Sequence, residues 1–111
     1  MSNTRYKNTD PLSAIKKYSK AGNESLLLVF DAEWSSLSSM TEVIINKISS
    51  EKSNLNIVLA DIEKHPEISK KYRIRRVPTC ILLEDSEMKF RHEGMFSKKT
   101  ILDKIARYSS N

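Results

Sequence analysis

Leu26-Leu27-Leu28-Val29-Phe30-Asp31-Ala32-Glu33-Trp34-Ser35-Ser36-Leu37-Ser38 is the stretch whose reading decides the fold. Its first five residues are an unbroken apolar run of strand length. A strand with one wet face alternates apolar and polar residues, so an unbroken run marks a strand buried on both faces. Asp31 to Leu37 reads as a loop. A helix follows in which Met40, Val43, Ile44 and Ile48 fall on one stripe, with Ser39 and Glu42 spaced as a capping box.

Outward from this centre the pattern alternates. Upstream, Asp10 and Pro11 suit the N-cap and first position of a helix carrying Leu12, Ile15 and Tyr18, and Ala21-Gly22-Asn23 supplies its stop. Downstream, Asn54 to Ala60 reads as a second central strand, and His65-Pro66-Glu67 opens a short helix through Tyr72. Val77-Pro78 breaks the chain before a third strand, Thr79 to Leu83. Glu84 to Glu87 has turn chemistry, and Met88 to His92 alternates as an edge strand. Ser97 caps a last helix with Ile101, Leu102, Ile105 and Tyr108 on one face. The expected order is α-β-α-β-α-β-β-α: an α/β fold with a central mixed sheet of about four strands, helices on both faces, right-handed crossovers and a closing hairpin.

The 111 residues fit one domain, expected over residues 10–111, with 1–9 as a flexible lead-in. A composition 39% hydrophobic and 30% charged reads as soluble and globular. No apolar run approaches the ~20 residues of a membrane helix, and Met1 to Lys20 has no apolar signal core, so the expected setting is cytoplasmic, with no membrane partner. Cys80 is the sole cysteine, which excludes an internal disulfide. Cys80, His65 and His92 lack ligand spacing, so neither a metal nor a cofactor is expected. The net charge of +5 falls short of a nucleic-acid footprint, because acidic residues are interspersed along the chain.

Leu28-Val-Phe-Asp-Ala-Glu-Trp34 with its following loop and helix resembles the active-site approach of the thioredoxin family. Arg73-Ile-Arg-Arg-Val-Pro-Thr79 resembles the segment carrying that family's cis-proline, and Glu93-Gly94 the glycine closing its substrate groove. The resemblance covers Leu26 to Ser109 and implies a thioredoxin-like fold. It also exposes departures. Where the family has Cys-Gly-Pro-Cys, this chain has Ser35-Ser36-Leu37-Ser38. A helix N-terminus lowers a thiol's pKa enough to make a thiolate, whereas a serine hydroxyl titrates far higher and cannot form an S–S bond. Ser35 and Ser38 are therefore degenerate positions and no catalytic residue is assigned; Val29 and Leu59 further align with the family's buried Asp and its nearby Lys.

The resemblance implies that Pro78 is cis and turns the Val77 backbone toward a groove, where an extended peptide can pair with it as an added strand. Pro78 can equally serve the fold alone. Trp34 reads as an aromatic wall of that groove or as half-buried packing over the loop. Leu37 and Met95 would flank it, and with Val77 and Pro78 would make an exposed apolar patch. Leu37 can also fold inward. Arg76, where the family carries a small residue, can select an acidic partner segment or be one more solvated cation. Cys80 reads as core. Serine hydrolysis by Ser35 would need an adjacent base that neither His65 nor His92 supplies.

The first functional expectation is therefore a redox-inactive protein- or peptide-binding module, with Trp34, Ser36, Leu37, Arg76, Val77, Pro78, Gly94 and Met95 as its site. The alternative is a thiol–disulfide oxidoreductase whose active-site cysteines have been changed to serine. A third reading is a structural subunit that dimerises through the apolar patch, the oligomeric state being open at this point.

Overall fold

The computed structural model describes residues 10–20, 25–35, 38–52 and 54–110. Its element order is α1 (Pro11–Lys20), β1 (Ser25–Asp31), α2 (Ser38–Glu51), β2 (Leu55–Asp61), α3 (Pro66–Lys71), β3 (Thr79–Glu84), β4 (Glu87–Glu93) and α4 (Lys98–Tyr108). The lead-in at 1–9, the Ala21-Gly22-Asn23 stop and the Tyr18 side chain lie outside the described residues. Asp10 caps α1 as expected: its Oδ2 accepts from the Ser13 N–H at 3.0 Å. Ser97 does the same for α4, accepting from the Thr100 N–H at 3.1 Å.

The four strands form one mixed sheet in the order β2-β1-β3-β4. β1 is parallel to β2 and antiparallel to β3, and β4 pairs antiparallel with β3. Leu27 and Val29 face a cluster with Ile45 and Ile48 of α2 and Ile101 and Ile105 of α4. Leu26, Leu28 and Phe30 face the other cluster, with Ala14 and Ile15 of α1 and Ile68 of α3. The unbroken apolar run is thus covered on both sides. Each such side chain taken from water contributes roughly 1.5–3 kcal/mol, which makes β1 the spine of the fold.

Three expectations need correction. Only β1-α2-β2 is a parallel crossover. α3 has six residues, a rise of about 9 Å, and does not itself run the length of a strand of seven, about 23 Å. The chain re-enters the sheet from the end it left, and β3 runs antiparallel to β1. Second, the buried face of α2 is Thr41, Ile45 and Ile48, with Ile44 half-buried, while Met40 and Val43 are 54% and 53% exposed. Third, Ser39 lies inside α2 rather than at its cap. The reversed entry of β3 brings the ends of β1 and β2, the start of β3 and the end of β4 together at one edge, with Asp31 opposite Asp61 and Thr79 opposite Glu93.

Candidate functional site

The loop leaving β1 begins buried and ends exposed. Asp31 and Ala32 are buried, whereas Glu33 and Trp34 project outward. The Ser35 N–H closes the turn on the Ala32 carbonyl at 3.0 Å. Trp34 is 63% exposed, so half-buried packing over the loop does not describe it. Ser36 and Leu37 lie outside the described residues, as does the Ser38 side chain, and α2 starts at Ser38.

A second loop arrives from α3. Arg73 takes a left-handed conformation at φ 54°, and the Ile74 N–H returns to the Ser69 carbonyl at 2.9 Å. The Val77–Pro78 bond is cis. Thr79 Oγ1 donates to the Arg76 carbonyl at 2.7 Å, and the Gly94 N–H donates to the Pro78 carbonyl at 2.8 Å. Gly94 has φ 92°, a conformation side chains disfavour. The Arg76 guanidinium lies against it: a Cβ on Gly94 would meet its Nη1 at 3.5 Å. Met95 is half-buried, and its carbonyl sits 3.1 Å from His92 Nε2. The structure thus brings Arg76, Val77, Pro78, Gly94 and Met95 to one edge, but Pro78 is buried and Val77 and Met95 half-buried, so these three do not form the exposed apolar patch expected of them. Between them, the Val77 N–H and C=O make no hydrogen bond among the described residues, although Val77 is half-buried.

Beneath this edge the two positions aligned with the family's buried Asp and its nearby Lys are apolar. Val29 is fully buried in the α2/α4 cluster and Leu59 packs against it. Cys80 lies in the same cluster, and burial, then the Asp31 charge, pushes its thiol well above the ordinary range. An un-ionised, enclosed thiol is a poor nucleophile.

Asp31 is the residue that sequence reasoning missed, having been read as the start of a loop. It belongs to β1, is 4% exposed, and lies two positions beyond Val29, hence on the same sheet face. Its Oδ1 accepts from the Ala32 N–H at 2.9 Å, and its Oδ2 has no partner among the described residues. Burial raises its pKa, against the Ala32 hydrogen bond, and the charges of Asp61 and Glu42 add to the rise. Strand alternation carried one step past Phe30 is the signal that would have found it.

The thioredoxin family model matches residues 12–107. A thioredoxin of Rickettsia bellii is 35% identical over 81 residues, 72% of this chain and 77% of the relative. One of Rickettsia felis is 33% identical over 94 residues, covering 84% and 90% of the two chains. Among solved structures, thioredoxin NaTrxh from Nicotiana alata superposes with a TM-score of 0.80 at 21% identity, covering 87% of this chain and 83% of that one; at that identity the likeness speaks for the fold alone.

Proposed function

We propose that this chain, which belongs to the thioredoxin family, is a redox-inactive binding module that engages an extended polypeptide segment in the groove beside Pro78. The observation that carries this reading is the unengaged Val77 backbone. The N–H and C=O of half-buried Val77, without partners among the described residues, stand ready for main-chain pairing with another strand, an interaction that needs no side chain from the partner and no sulfur from this protein. Exposed Trp34 and half-buried Met95 supply apolar contact area around that pairing.

Serine at 35 and 38 supports the loss of dithiol chemistry, since a hydroxyl neither attacks a disulfide nor resolves a mixed one. Val29 and Leu59 support the same reading. An idle buried carboxylate and ammonium cost desolvation energy, and apolar residues relieve it.

The test is chemical-shift mapping of the labelled protein titrated with extended peptides. Binding should move the Val77, Gly94 and Met95 amides and the Trp34 indole together. Combined Trp34→Ala and Met95→Ala substitution should weaken binding by about tenfold. Shifts confined to a surface away from Val77, or turnover of insulin disulfides by the native chain, would refute the proposal.

A further inference from the structure

Five of the seven residues from Lys70 to Arg76 are basic and none is acidic. The chain's other fourteen Lys and Arg residues balance its fourteen Asp and Glu, so the net charge of +5 equals the charge of this one segment. The fold carries the end of that segment, Arg76, to Gly94 at the groove, and lines a neighbouring cleft with Lys71, Arg73 and Arg75. Arg91 staples the loop to β4, donating to the Tyr72 carbonyl and, at 2.8 Å each, to the Arg73 carbonyl and to Glu93. Arg75 reaches Glu93 at 3.1 Å, and Arg76 lies over Gly94.

Among the described residues, Glu93 is the one carboxylate in the cleft lined by Lys71, Tyr72, Arg73, Arg75, Met88 and Arg91, and it is shared between two guanidiniums. No carboxylate among the described residues lies within ion-pair distance of Lys70, Lys71, Arg73 or Arg76, all of them exposed. The dipole of α3 accounts for Lys70 and Lys71 at its C-terminus. It does not account for three arginines beyond the helix.

We infer that this loop makes the groove selective for an acidic polypeptide segment, whose main chain pairs with Val77 while its Asp or Glu side chains meet Arg76 and Arg73. The inference rests on the groove reading above and names the chemistry of its partner. Arginine is suited to the task because its planar fork takes a carboxylate through two parallel hydrogen bonds. A single-stranded nucleic acid fits less well. It has no backbone N–H or C=O to pair with Val77 as a strand, and Tyr72, the aromatic ring of the cleft beside the loop, is half-buried with its centroid 5.9 Å from that of Phe30.

The experiment measures fluorescence anisotropy of short extended peptides that share apolar anchors and carry Glu, Gln or Lys at alternate positions. The Glu peptide should bind about tenfold tighter than the Gln peptide, with the preference shrinking as salt rises. Combined Arg73→Glu and Arg76→Glu should erase the preference, whereas combined Lys47→Glu and Arg107→Glu, the same charge change elsewhere, should keep it. Thermal melts confirm folding of each variant, and the salt series on the unaltered protein needs no variant.

Equal affinity for the Glu and Gln peptides overturns acidic selection and leaves the groove standing. Displacement of the Glu peptide by heparin or oligothymidylate at matched charge overturns it also, leaving an unselective polyanion patch. Glu-peptide binding untouched by Trp34→Ala with Met95→Ala counts against the groove while supporting the basic loop.

Discussion

Glu84 and Asp31 are both buried carboxylates, and their surroundings push them in opposite directions. Burial opposes the Glu84 charge, but hydrogen bonds from the Ser109 and Ser25 hydroxyls and the Ser110 N–H outweigh it and hold the carboxyl below its ordinary range. A depressed pKa adds stability above the unfolded value and loses it as pH falls through the folded one. Glu84→Gln should therefore cost roughly 1.5–3 kcal/mol near neutrality, a deficit that shrinks in acid. Asp31 has the reverse sign. Its raised pKa favours the folded state at low pH and loses that contribution as pH rises through the folded value, so Asp31→Asn should gain on the unaltered protein toward neutrality. Urea unfolding across a pH series reads both. Profiles that run parallel to that of the unaltered protein would contradict these assignments.

At the scale of elements, α2 shows how a helix can be apolar on both sides. Its sequence offers two competing stripes, and the core buries Thr41, Ile45 and Ile48 with Ile44 packed partly against them. Ile48→Ala should thus cost about 2–5 kcal/mol by leaving a cavity, and Met40→Ser should stay within about 0.5 kcal/mol. Chemical denaturation of the two variants checks this, and equal losses would restore the stripe read from spacing. α3 makes a different point. The reversed β3 that follows it places the Arg76–Val77 loop beside Gly94.

At the scale of the whole molecule, Cys80 reports on global opening. It sits in the central strand layer with no exposed surface and a thiol pushed up by burial, so it should react with a thiol-specific reagent only as the protein unfolds. Reactivity that tracks the denaturation curve fulfils this expectation; rapid labelling of the native protein defeats it. By itself, the order of residues determined the succession of elements, the two-sided burial of β1, the caps at Asp10 and Ser97, and the missing sulfurs at 35 and 38. These follow from local propensity, from patterning along one strand, and from which atoms a side chain contains. Only the tertiary structure decided which face of α2 turns inward, that β3 enters reversed, that Asp31 is buried, that Glu84 gathers three donors from β1 and the end of α4, and that Arg76 rests on Gly94. Each of those depends on what chain segments far apart in sequence present to one another. Periodicity along a single element carries no record of that neighbour.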